Sequence, residues 1–198
     1  MVALRGDAMK GQNHFVPSEG GHSFAIDLVK HINDLGRGKY LSGDIDSVDD
    51  NRFCIGVAGY PEKHIEAPSM NYDLQKLKEK VDAGADYVVT QMFFDNKKYF
   101  EFVNQARAME INVPIIPGIK PIATKGHLSM LPKTFKIDLP EMLIGEISKA
   151  KDNAAVKQIG IEWAINQCKE LIDFGVPVLH FYSMGKSDNI KKVASELF

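Results

Sequence analysis

The sequence predicts an α/β domain built on a parallel sheet of five strands. Two observations carry this. Short apolar runs alternate with longer amphipathic stretches in the order β-α-β-α-β-α-β-α-β-α. None of the runs alternates polar and apolar residues over a long span, which is the habit of parallel strands covered on both faces.

The first strand is predicted at 2–4 and leaves the core at Arg5-Gly6-Asp7. Residues 8–22 carry three glycines and a proline and are expected to form an exposed loop. A helix over 24–35 follows Ser23, an N-cap residue type, and stops at Gly36. The aspartate-rich stretch 42–52 is expected to be a solvated turn rather than an ion site. The second strand, 53–58, exits into Gly59-Tyr60-Pro61-Glu62-Lys63-His64. In the helix over 73–83, Leu74, Leu77 and Val81 recur at helical spacing, and Gly84 is a C-terminal stop. The third strand, 87–90, exits into Gln91-Met92-Phe93-Phe94-Asp95. The helix over 97–109 places Phe100, Val103 and Ala106 on one face. A strand over 114–116 exits at Pro117-Gly118-Ile119-Lys120-Pro121. The longest helix, 154–174, is closed by Gly175 and Pro177, and a fifth strand, 178–182, exits at Ser183-Met184-Gly185-Lys186.

Length and composition bound the function. The chain has 198 residues, enough for one domain (1–198) with a sizeable core and no linker. Hydrophobic residues are 44% and charged residues 25%, the balance of an ordinary globular protein. A formal charge of −2 gives no electrostatic reason to expect nucleic acid or an anionic membrane. No apolar run is long enough to span a bilayer, and MVALRGDAMK lacks the apolar region of a signal peptide. Cys54 and Cys168 share no metal-ligand spacing with histidines and are expected to be reduced thiols in a cytoplasmic protein.

Five polar clusters at five strand exits would converge on one rim, where binding chemistry gathers in parallel α/β folds. Each also has a plain structural reading. Arg5-Gly6-Asp7 is a turn, Pro61 and Pro117-Gly118 are turn chemistry, Gln91 satisfies stray backbone groups, and His180 is a hydrogen-bonded core histidine. There is no G-x-G-x-x-G, P-loop, G-x-S-x-G or H-E-x-x-H pattern, so any cofactor must be held by the strand-exit loops. A sheet of five is either an open sheet or the later part of a larger barrel.

The stretches ALRGD, GVAGYPEKHIEA, DLQKLKEKVDAGADYVVTQMFFD, VPIIPGIKP and LHFYSMGK resemble, in order, the barrel motifs of the methylenetetrahydrofolate reductase family. The resemblance implies a (β/α)8 TIM barrel, with about five of its eight βα units in this chain. It implies FAD at the C-terminal ends of the strands and NADH or NADPH as reductant. Hydride passes first to the flavin and then, in a ping-pong sequence, to 5,10-methylenetetrahydrofolate, giving 5-methyltetrahydrofolate in one-carbon metabolism and methionine biosynthesis. A homo-oligomer is implied as well.

By motif position the resemblance assigns flavin contacts to Arg5, Gly6, Asp7, Phe24, Ala25, Tyr60, His64, Ala67, Asp73 and Lys80. Asp7 is also implied as the catalytic carboxylate beside the folate, where it favours the cationic iminium form of the substrate. Gln91 and Lys186 are implied substrate contacts. Phe24 stands where the family has Tyr, and Lys186 where many members have Arg, which keeps the charge without the planar fork. Phe93 and Phe94 are expected to pack the barrel end.

In the family's motif order this chain starts after roughly the first three strands, which carry the glutamate general acid. Glu19, Glu62 and Glu66 lie in other motifs. The chain is therefore expected to be a C-terminal portion of the barrel, impaired alone in proton delivery. Alternatives are a non-catalytic fragment, a split enzyme with a companion chain, or a flavin-free barrel such as a pterin-handling synthase. Adenosylmethionine control of longer members is not expected.

Overall fold

The computed structural model describes residues 1–9, 11–12, 14–40, 42–43 and 52–198. The expected turn at 42–52 lies mostly outside them. The described elements are β1 (Val2–Ala3), α1 (Ala25–Gly36), β2 (Gly56–Gly59), α2 (Met70–Asp82), β3 (Tyr87–Met92), α3 (Asn96–Ala108), β4 (Ile115–Ile119), α4 (His127–Phe135), α5 (Glu141–Lys149), α6 (Asn153–Asp173), β5 (His180–Phe181) and α7 (Asp188–Leu197). The strands form one sheet in the order β1-β2-β3-β4-β5, every pair parallel. This is a run of consecutive βα units of the (β/α)8 barrel class.

Alternate strand residues face opposite sides. Ile55, Val57, Val88, Ile115 and Ile119 face the helices and build the main core with Leu74, Leu77, Phe102, Ile161 and Leu171. A second core gathers Met92, Phe94, Ile122, Leu131, Leu143 and Ile147 beneath the ends of β3 and β4. Phe93 and Phe94 are both buried, one in each core. Gly160 lets α6 press against the β4 exit, because a Cβ there would lie 1.9 Å from the Ile122 carbonyl oxygen.

Several expected boundaries move. β2 starts at Gly56 rather than 53, because the Ile55 N–H is taken by the Asp86 carboxylate at 2.8 Å. Ser23 does not cap α1. The cap position is Phe24, whose backbone N–H donates to Asp27 Oδ2 at 3.1 Å. α2 begins at Met70, capped by Ser69, whose hydroxyl accepts the Tyr72 N–H at 3.2 Å, so Asp73 falls within the first turn. Gly84 closes this helix at φ +110°, a left-handed conformation that glycine adopts freely.

β3 and β4 run further than expected. β3 continues to Met92, so Gln91 lies within the strand, and β4 continues to Ile119, so Pro117-Gly118 is strand rather than turn. Pro117 has no N–H to give the ladder, and the register slips opposite it between Val89 and Met92. Thr90 repairs the break, since its Oγ1 accepts the Gly118 N–H at 3.0 Å. β5 is only His180–Phe181, and His180 is exposed, not a core histidine. Its ring meets Tyr182 edge-on, 4.8 Å between centroids.

Helices α4 and α5 were not expected. Each has nine residues, and Pro132 inside the first with Pro140 before the second mimics loop composition. Cys54 and Cys168 are both free thiols. No described helix is long and apolar enough to cross a membrane.

Candidate functional site

The turn after β2 is the centre of the site. Lys63 takes φ +72°, and its ammonium reaches back to the carbonyls of His64 (3.0 Å) and Ala67 (2.5 Å). This fold of the chain sends the backbone N–H of His64 to Asp73 Oδ2 at 2.8 Å, in the first turn of α2. The Glu66 N–H donates to His64 Nδ1 at 3.1 Å, so in the neutral ring the proton sits on Nε2. Burial holds the His64 pKa below its usual value. The Tyr60 ring packs edge-on against His64 at 4.7 Å. Burial, then the charges of Asp73 and Asp7, push the Tyr60 phenol up to about 12. At neutral pH the pair therefore offers a phenol O–H and an imidazole N–H.

Lys80, in the last turn of α2, donates to the Ala58 carbonyl of β2 at 2.8 Å. Burial lowers its pKa to about 8 against the opposing pull of Asp73. Two of its three N–H groups remain for a ligand. Ala67 is buried in the same loop.

β1 joins this centre through Arg5. Its guanidinium forms a two-pronged ion pair with Glu66, at 2.7 and 2.9 Å, and lies 5.0 Å over the Phe15 ring. Gly6 turns the chain at φ +86°, and the exposed Asp7 acts on both Tyr60 and Arg5 through its charge. Phe24 is 60% exposed and lines a groove with Arg5, Phe15, Pro17, His22 and Leu28. Ala25 follows as the first residue of α1.

Gln91 is half-buried, and its Oε1 accepts the N–H of Met92 at 2.9 Å, the local bond its plain structural reading foresaw. Its amide N–H groups and one lone pair stay available. It shares a small notch with Tyr60, Glu62, Met92, Phe135 and Ile137. Tyr182 braces this strand by donating to the Thr90 carbonyl at 2.8 Å.

The structure thus brings Arg5, Asp7, Tyr60, His64, Asp73 and Gln91 to one rim, with Lys80 beneath it. Lys186 stands apart, exposed in the turn after β5, with no side-chain partner among the described residues. Sequence reasoning passed over Glu62 as a site group. Its Oε2 accepts the Asp138 N–H at 2.7 Å, and burial raises its pKa to about 7. No periodicity or motif spacing marks a single glutamate after a proline. Among the described residues no cluster suits a metal ion.

A sequence profile described as methylenetetrahydrofolate reductase matches residues 1–197. The chain belongs to the methylenetetrahydrofolate reductase family. It is 45% identical over 195 residues to methylenetetrahydrofolate reductase (NADH) 1 of Arabidopsis thaliana, covering 93% of this chain and 31% of that protein. It is 39% identical to methylenetetrahydrofolate reductase 2 of Saccharomyces cerevisiae, covering 93% and 29%. It is 34% identical to 5,10-methylenetetrahydrofolate reductase of Pectobacterium carotovorum, covering 95% and 56%. The chain thus spans about a third of the Arabidopsis and yeast relatives and about half of the bacterial one. Among solved structures, an uncharacterized Clostridium thermocellum protein, described as binding two copies of 5-methyl-5,6,7,8-tetrahydrofolic acid, superposes with a TM-score of 0.53 at 19% identity. That match covers 72% of this chain and 52% of the other and supports the shared fold.

Proposed function

We propose that this chain forms the flavin- and folate-binding end of a reductase that converts 5,10-methylenetetrahydrofolate to 5-methyltetrahydrofolate, with NADH or NADPH as reductant and FAD as cofactor. One observation carries the reading. In a chain of this family, the residues assigned to cofactor and substrate interlock at one end of the sheet: Arg5 on Glu66, Tyr60 against His64, His64 on Asp73, Gln91 beside Tyr60.

The side chains suit FAD. Arg5, the Tyr60 phenol, His64 Nε2–H and the Lys80 ammonium are donors or cations, fit for a ligand rich in carbonyl and phosphate oxygens. The Phe24 ring and the adjoining groove offer an apolar wall. When bound, the flavin supplies the hydride acceptor and donor chemistry that no side chain has. Lys80, with its pKa near 8, is charged at neutral pH and holds a phosphate, while Asp73 takes a hydroxyl. Gly6, Ala25 and Ala67 leave room for close approach. Asp7 places a carboxylate where a cationic iminium substrate gains from it. Gln91 offers donor and acceptor to the pterin edge, and Lys186 a positive charge beyond it.

The same proposal takes 1–198 as one domain of a cytoplasmic protein that self-associates. β1 and β5 each pair on one side only among the described residues, so a companion segment or second copy that covers these edges belongs to the reading. The test is the visible spectrum of the purified chain after incubation with FAD and desalting. Retained flavin that NADH bleaches supports the proposal. A folded chain that retains none, alone or with a companion segment, overturns it.

A further inference from the structure

Lys120 is the residue after β4, and it is 8% exposed. Among the described residues its ammonium makes no hydrogen bond and no ion pair, although the structure pairs other lysines with carboxylates or carbonyls. The side chain is largely buried, although its ammonium is not among the fully enclosed atoms left without a partner, and a methionine or leucine would fill the same volume with no charge to desolvate. Burial lowers its pKa, which agrees with an ammonium that lacks an internal partner.

The register gives its direction. Ile115 and Ile119 belong to the core under the helices, while Gly118 lies on the other face, where a Cβ would meet the Tyr182 ring at 2.5 Å. The ladder continues past β4, since the Tyr182 N–H donates to the Ile119 carbonyl at 2.9 Å. Alternation then puts Lys120 on the face of Gly118 and Tyr182. His127, the first residue of α4, is its neighbour. Its Nδ1 accepts the Ala123 N–H at 3.2 Å, so its proton sits on Nε2, and both burial and the charge of Lys120 hold it neutral. The corner between β4 and α4 therefore presents an ammonium and an imidazole N–H, two donors with no acid beside them among the described residues.

We propose that Lys120 and His127 form an oxyanion subsite at the β4 end of the rim, which takes a carboxylate or phosphate of the ligand lying over the sheet. The identity of that ligand rests on the proposed function. There it is either the glutamyl carboxylate of the folate or a phosphate of the nicotinamide dinucleotide. Lys80, under β2, serves the flavin instead and leaves this corner free.

The first arm does not need the folate reading. Inorganic phosphate is titrated against chloride at constant ionic strength, and the His127 ring signals are followed by NMR. A saturable shift in the wild type that disappears in Lys120→Met and returns in Lys120→Arg supports the subsite. An unresponsive His127 in the wild type overturns it. The second arm measures binding of 5-methyltetrahydrofolate, its pteroate analogue without the glutamate, and NADH. Loss of about tenfold in Lys120→Met, the worth of one charge-assisted hydrogen bond, is expected for one ligand. Loss for the folate but not the pteroate assigns the glutamyl carboxylate, and loss for NADH assigns the dinucleotide phosphate. A phosphate response with no loss for either ligand overturns that assignment. A wild type that answers phosphate but binds no folate sinks the proposed function and leaves the subsite standing.

Discussion

Replacing Glu62 by Gln should stabilise the protein above neutral pH and leave it unchanged in acid. The carboxyl sits in the notch beside Gln91, and burial moves its pKa from 4.5 to about 7. A group whose folded pKa is raised favours folding when protonated. That contribution is complete below 4.5 and is lost as pH rises through about 7. At pH 8 both folded and unfolded chains are ionised, and the folded one carries the cost of the buried charge. The shift corresponds to about 3 kcal/mol at most. The side chain keeps some contact with water, so screening leaves about 1–2 kcal/mol. Glutamine has the same shape, cannot ionise, and keeps an oxygen to accept the Asp138 N–H that Glu62 now takes at 2.7 Å. Urea unfolding of both proteins from pH 4 to pH 8.5 checks this. The stability difference should open as pH rises from 4.5 to about 7 and stay constant above that. A difference that is flat with pH, or one that favours the wild type at pH 8, would refute the reasoning that desolvation dominates at Glu62.

Two further substitutions test how the site is supported. Gly160→Ala should destabilise by about 2–4 kcal/mol, because the new Cβ meets the Ile122 carbonyl at 1.9 Å and the gain of about 1 kcal/mol in helix propensity is far smaller. A urea midpoint equal to the wild type's would show that α6 shifts freely away from the β4 exit. Lys80→Met should abolish flavin retention. Because burial holds Lys80 near 8, the folded chain binds fewer protons than the unfolded one between pH 8 and 10.5, so wild-type stability should rise relative to Lys80→Met across that range. A constant difference between the two would place the ammonium in water.

The fold class was legible because its signal is repeated. Each of the five apolar runs contains or overlaps a strand, and the four helices given ranges all appear; Leu74, Leu77, Val103 and Ala106 are buried where helical spacing puts them, with Val81 and Phe100 partly buried beside them. The missed helices α4 and α5 cover the second core, and their prolines carry a loop signature that tertiary packing overrides. Within the site, the tie of His64 to Asp73 spans nine residues and follows from loop-to-helix order, whereas the pairing of Arg5 with Glu66 spans sixty-one. No local pattern encodes the second.

The strands β3 and β4 outrun their expected ends for one reason. Gln91 and Pro117-Gly118 look like exit residues because an amide, a proline and a glycine are poor strand formers. They remain in the sheet because they answer one another. The proline withholds an N–H, the register slips opposite it, and Thr90 supplies the acceptor for Gly118 that the slipped ladder cannot. Gln91 lies within the slipped stretch between Val89 and Met92 and lines the notch beside Tyr60, so the irregularity falls at the site. Lys120 follows from the same shift. With β4 carried on to Ile119, Lys120 stops being a surface turn residue and becomes the next inward position of a strand, where a largely buried side chain with no partner among the described residues gives its charge a meaning that the letters Gly-Ile-Lys-Pro do not convey.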